Sequence, residues 1–231
     1  MILKINEGLV KGFVKRLKPF VYGVSIANDY DRAMLFCRYQ EFYESPFKNI
    51  RGKNFTLYEF MKTYCEKNDS LAFTYPKDWT GFNLPSDSLS KSVGLFYNGG
   101  HCNEYDLIME KIRSFCSQDS LKIHGKTTKW YLIGYGKNDV KTLNHEMAHA
   151  YYYTNKEYKY NCDKLIQKIK KKDYLILQKE LVKLGYRENK KIIDDEIQAF
   201  MSTGLYSTMK SENIIKHQKD FIENFKKFHN V

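Results

Sequence analysis

Residues His145-Glu146-Met147-Ala148-His149 place two imidazoles four positions apart, with a carboxylate directly after the first. On a helix of 3.6 residues per turn, positions i and i+4 project from one face, so both rings can reach a single ion. Zinc accepts neutral imidazole nitrogen, and a catalytic zinc keeps one coordination position for water. Glu146 points beside such an ion rather than at it. There its carboxylate can take the proton from a zinc-polarised water as that water attacks a carbonyl. The neighbours Thr142, Leu143, Asn144, Met147, Ala148, Ala150 and Tyr151 carry no charge and include no proline. Small and apolar neighbours imply burial, and burying two histidines and a glutamate without partners is costly. A surface helix holding the triplet by chance is disfavoured on that ground.

The triplet with its uncharged flanks resembles the extended signature of the zincin metallopeptidases. The resemblance implies a zincin-like single domain, one zinc ion and hydrolysis of a peptide amide, with His145 and His149 as ligands and Glu146 as general base. Two other metal families fail. A metzincin would continue with Gly at 152 and His at 155, where this chain has Tyr152 and Asn155. A ferritin-like di-iron site needs Glu-x-x-His pairs on two helices, and only Glu146 to His149 fits.

The third ligand must lie downstream. Glu196, in Asp194-Asp195-Glu196-Ile197-Gln198-Ala199-Phe200, sits early in a predicted helix that resembles the glutamate-bearing second helix of the gluzincin group. That group often has an acidic residue four positions after the ligand, and here the position is Phe200. Asp194 or Asp195 would then orient a histidine, or be the ligand itself. An ordinary helix N-terminus, where acidic side chains meet the dipole, is the competing account of this cluster. Glu157, Asp163 and Glu180 are further carboxylates, in charged segments read as exposed. An oxyanion would need a donor, and the candidates are His101, Tyr206 and the tyrosines at 151–153.

The elements that must position these residues read as follows. Leu9, Val10, Phe13, Val14 and Leu17 have helical spacing over 5–17, with Gly8 and Gly12 weakening the helix. Helices are predicted from Asp31 to Glu44, from the Thr56–Glu59 capping box to about Cys65, and from Asn103 to Phe115. Residues 73–92 read as a long loop with short strands, and Val93 to Tyr97 as a strand stopped by Asn98-Gly99-Gly100. Lys129 to Tyr135 has strand composition. The zincin resemblance makes it the sheet-edge strand beside the metal-site helix, open to an extended peptide; an ordinary core strand is the alternative. Asp139 caps a helix over Val140 to Tyr153. Asp163 to Leu184 forms two short helices broken near Asp173, with Leu165, Ile166, Ile169, Leu177, Leu181 and Leu184 as the packing face. Asp194 or Asp195 opens another helix, and Ser211 caps the last, which buries Ile214, Ile215, Phe221, Ile222, Phe225 and Phe228. The class is α+β with a small sheet and a mostly helical C-terminal half. Residues 1–231 read as one domain, with a catalytic core over about 93–206 and a basic two-helix insertion over about 158–190.

Composition bounds the rest. Hydrophobic residues make up 42% and aromatics 16% of the 231 residues, enough for a core. No apolar run reaches the roughly 18 residues a membrane-spanning helix needs, and lysines interrupt the first twenty residues where a secretory signal would need an apolar block. Cys37, Cys65, Cys102, Cys116 and Cys162 form no C-x-x-C pair, which points to free thiols, a reducing compartment and a cytoplasmic location. The net charge of +11 is concentrated at Lys168, Lys170, Lys171, Lys172, Lys190 and Lys191. A solvated basic face accounts for it. The alternative to a peptidase is a catalytically silent protein on the same scaffold that binds nucleic acid or an acidic partner through that face.

Overall fold

Gly8 sits at φ +47°, a left-handed conformation open to glycine, and it turns the chain back on itself. The computed structural model describes residues 2–8, 10–125 and 128–229, so Leu9 lies outside the described residues. The flanking segments form strands β1 (Ile2–Glu7) and β2 (Val10–Lys18), an antiparallel hairpin and not the helix expected over 5–17. The spacing misleads for a definite reason. Val10 and Val14 are four apart, which suits both a helix and every second residue of a strand. The residue between them on that face is Gly12, glycine because a Cβ there would stand 2.4 Å from the Ser25 carbonyl oxygen of the next strand.

That next strand, β3 (Val21–Ile26), is buried along its whole length. It runs parallel to β5 (Tyr131–Tyr135), and β4 (Phe82–Pro85) closes the sheet antiparallel to β5, giving the order β1-β2-β3-β5-β4. The expectation of an edge strand at Lys129 to Tyr135 is therefore overturned: β5 is interior and already paired on both sides. No peptide can add to it. β4 is the edge on that side of the sheet, and its outward donors are used up: the Asn83 N–H donates to Gln40 Oε1 at 3.1 Å, and Pro85 has none.

Helix α1 (Asp29–Glu44) starts at Asn28, whose side chain accepts the Asp31 N–H, and packs Phe36 against the sheet. Gly134 of β5 exists for that contact, since a Cβ there would meet the Phe36 ring at 2.7 Å. Helix α2 (Leu57–Lys67) carries the expected capping box at Thr56 and Glu59. Helices α3 (Tyr75–Asp78) and α4 (Ser86–Asn98) follow. The strand expected at Val93 to Tyr97 is part of α4: Leu89, Ser92, Val93 and Phe96 are buried at helical spacing. Helix α5 (Glu104–His124) runs two turns beyond the expected end, to Gly125 at φ +65°.

Chain contacts divide the molecule into two compact units, 1–143 and 144–231. The first holds the sheet and α1 to α5, with a core that includes Val24, Phe36, Phe60, Leu84, Phe96 and Leu132. The second is helical. The architecture is thus mixed α and β with one five-stranded sheet among the described residues. None of the cysteines is in a disulfide, and no helix of the described residues is long and apolar enough to cross a membrane.

Within the first unit Glu41 is buried, and desolvation raises its carboxyl to about 7 against the lowering effect of hydrogen bonds from Ser45 and Tyr75. A raised folded-state value means that the folded chain holds this proton after the unfolded chain has lost it. Stability from this group is complete below about 4.5, falls as pH rises, and is gone above about 7. The span corresponds to about 3 kcal/mol. Glu41→Gln, uncharged at every pH, should unfold in urea with that decline removed, and should be the more stable protein at pH 8. A wild type and variant with parallel stability curves from pH 4.5 to 8 would refute the assignment.

Candidate metal centre

Asp139 Oδ1 accepts the Thr142 N–H at 3.0 Å and starts helix α6 (Val140–Thr154) as its sequence predicts. Asn155 ends it and caps α7 (Lys156–Lys168), and α8 (Lys171–Lys183) follows after a break at Ile169-Lys170. Asn189 caps α9 (Lys190–Thr203). The helix bearing Glu196 therefore starts about a turn before the expected Asp194 or Asp195, and the acidic cluster lies past the first turn, away from the four orphan N–H groups. Ser211 Oγ accepts the Ile214 N–H at the start of α10 (Glu212–His229). Ile214, Phe221 and Phe225 of α10 are buried as expected, whereas Ile215 is exposed. Ile166, Ile169, Leu177 and Leu181 join Ile193, Ile197, Phe200 and Met201 in the core of this unit, and Leu184 is exposed.

Two hydrogen bonds tie α6 to α9. His145 Nδ1 stands 3.3 Å from Thr203 Oγ1, and that hydroxyl donates to the Ala199 carbonyl at 2.7 Å. With its proton so used, Thr203 accepts, and His145 carries hydrogen on Nδ1. His149 Nδ1 likewise donates to Asp195 Oδ1 at 2.8 Å. Both rings thus turn Nε2, the nitrogen without hydrogen in the neutral tautomer, toward the same point.

The two Nε2 atoms are 3.3 Å apart. Glu196 Oε2 lies 3.8 Å from His145 Nε2, and Oε1 lies 3.6 Å from His149 Nε2. Zinc bonds of about 2.0–2.1 Å at tetrahedral angles separate donors by about 3.3–3.4 Å. Glu196 Oε2 is buried and has no hydrogen-bond partner, and an orphaned buried carboxylate oxygen costs free energy. A cation between the three side chains satisfies that oxygen and both lone pairs. The donors therefore fit a divalent ion of zinc's size and ligand preference. Among the described residues, these three are the one group of His, Cys, Asp or Glu side chains placed so that they could hold a metal ion, with candidate ligand atoms within 4.8 Å of one another.

Burial lowers the basicity of His149, but the charges of Asp195, Glu196 and Glu146 outweigh it and hold the ring well above the usual histidine value. The surroundings of His149 are thus rich in negative charge, which favours a proton or a cation there. Glu146 is buried, outside the ligand group, yet close enough to act on His149. The His145 side chain is 17% exposed while those of His149 and Glu196 are 2% and 4%, so the centre meets solvent on the His145 side. Phe200 packs there with its ring tilted by 58°, 4.6 Å from the His145 ring, and the half-exposed Tyr206 packs 5.4 Å from Phe200.

Of the residues singled out in the sequence, the structure brings together His145, Glu146, His149, Asp195 and Glu196. Asp194 points elsewhere, accepting from Tyr174 and Lys190. Glu157 pairs with Lys227, Glu180 with Lys183, and Asp163 with Lys159 and Tyr152. His101 belongs to the first unit, where it is exposed and its carbonyl accepts from Arg38. Thr203, Gln198 and Tyr158 join the site without a sequence expectation. Thr203 lies seven residues after Glu196, two turns along the same face, and that spacing is a signal that points to it. Comparison of the chain with protein-family models, curated proteins and solved structures gives no match.

Proposed function

We propose that the protein is a zinc-dependent hydrolase, a metallopeptidase that cleaves a protein or peptide amide bond. The observation that carries this reading is the pair of Nε2 atoms at 3.3 Å facing an orphaned Glu196 oxygen, with Glu146 next in the chain and outside the ligand set. His145, His149 and Glu196 would hold the ion. Zinc held by three protein ligands supplies Lewis acidity, bringing a water near neutral pKa and polarising a carbonyl.

The chain's own groups do the rest. Glu146 takes a proton from water as its oxygen adds to the carbonyl carbon, then passes that proton to the amine nitrogen as the C–N bond breaks. Asp195 keeps hydrogen on His149 Nδ1 and the ring turned inward, and Thr203 does the same for His145. Substrate would arrive on the side where the His145 side chain is 17% exposed. Tyr206, which packs on the Phe200 that borders His145, is the oxyanion candidate carried forward.

The reading is tested by zinc titration of the chelator-treated chain, followed by thermal unfolding and hydrolysis of an unfolded protein substrate. Zinc at a hundredfold excess over its Kd should stabilise the protein by about 2.7 kcal/mol, and hydrolysis should appear with zinc and vanish with chelator. Zinc that binds and stabilises without restoring hydrolysis of any amide would leave a metal protein but not an enzyme, and would overturn the proposal.

A further inference from the structure

The hydroxyl of Tyr158, on α7, is fully buried and donates to Gln198 Oε1 at 3.0 Å. Gln198, on α9 and also fully buried, turns its Nε2 to Asp195 Oδ1 at 3.0 Å. That is the same oxygen that accepts from His149 Nδ1 at 2.8 Å. Ser202 Oγ stands 3.3 Å behind the Tyr158 hydroxyl. Since Tyr158 spends its one proton on Gln198, Ser202 donates to Tyr158. The donors therefore run in a single direction, Ser202 to Tyr158 to Gln198 to Asp195.

Direction matters because an amide can be turned over. With Oε1 facing Asp195, Gln198 would set an acceptor against a carboxylate and leave Asp195 with one donor fewer. Asp195 can only accept, so it selects the orientation with Nε2 toward it, and the Tyr158 hydroxyl holds that orientation by donating to the Oε1 at the other end of the amide. Asp195 in turn fixes the tautomer and tilt of His149, so a hydroxyl on α7 reaches the ion through three hydrogen bonds.

We infer that Tyr158 and Gln198 are positioning residues of the metal centre, so that α7, from the lysine-rich helix pair, holds a ligand of the ion in place. The inference rests on the zinc reading above. It also gives a polar function to a helix whose apolar face alone would account for its packing.

The test uses the full chain and zinc itself. Zinc affinity is measured by competition with a chromophoric chelator, and the ligand field by the absorption spectrum of the cobalt-substituted protein. Tyr158→Phe should weaken zinc about tenfold, the lower end for residues that orient a ligand, and shift the cobalt bands. Tyr174→Phe is the matched control. It deletes a hydroxyl that donates at 2.9 Å to Asp194, next to Asp195 on the same helix but facing away from the centre. Its zinc affinity should stay within about twofold of wild type. Equal affinities for wild type and Tyr158→Phe, or equal losses in the two tyrosine variants, would overturn the inference. If Tyr158→Phe does not fold, Gln198→Met removes the same relay at similar volume and must weaken zinc at least as much; full affinity there overturns the inference as well. A wild type that binds no zinc overturns the underlying reading instead, and is distinguished by needing no variant to see it.

Discussion

Glu146→Gln should lower zinc-dependent hydrolysis by about two to four orders of magnitude while zinc content stays at the wild-type level. The two readouts separate because Glu146 is in the pocket but outside the ligand group. Glutamine keeps the volume and removes the proton acceptor. Rates on an unfolded protein substrate, set beside metal analysis of the same samples, decide the point. A variant with full zinc and full rate would place the general base elsewhere. A variant that loses zinc would make Glu146 a ligand, against the geometry.

Glu196→Gln should have the opposite signature, with zinc binding itself failing. Apparent free energies of about 10–16 kcal/mol for four-ligand zinc sites come to about 2.5–4 kcal/mol per ligand, or two to three orders of magnitude in affinity. A neutral amide, a poorer zinc ligand, replaces a buried anion whose Oε2 has no other partner. Glu157→Gln and Glu180→Gln remove carboxylates that pair with lysines at the surface, and both should bind zinc as wild type does. Competition with a chelator measures all three. Retention of wild-type affinity in Glu196→Gln would remove Glu196 from the ligand set.

Much of the centre is legible in the sequence, because a helix makes i and i+4 neighbours by its own geometry. His145, Glu146 and His149 require only that α6 be a helix, and Asp139 with the uncharged flank announces one. Glu196 is reached for a partly mistaken reason. The sequence reads as a helix start there, whereas α9 begins at Lys190 and the acidic cluster lies beyond the first turn. Asp195 is one of two candidate orienters, and only the fold separates it from Asp194. Tyr158 and Gln198 carry no local signal, since their roles depend on α7 meeting α9 some 40 positions on.

The sheet is less readable for the same reason. Val10 and Val14 suit two periods at once, and the glycine that decides between them is explained by Ser25 on another strand. Val93 to Tyr97 is a short apolar run whose helical partners, Leu89 and Ser92, fall within what reads as a loop. The buried strand Val21–Ile26 has no counterpart among the sequence expectations, although its valines and isoleucine are strand formers. Lys129 to Tyr135 is recognisable as a strand but not as an interior one, because pairing on both sides is set by residues far away in sequence.

The central claim is that His145, His149 and Glu196 hold one metal ion. It is tested most directly by metal analysis and zinc-edge X-ray absorption on the chain purified without chelator, beside the His145→Ala/His149→Ala double variant. About one zinc per wild-type chain is expected, with imidazole nitrogen and carboxylate oxygen at about 2.0–2.1 Å, and none in the double variant. A wild type without zinc, or a double variant that keeps it with the same spectrum, would contradict the claim.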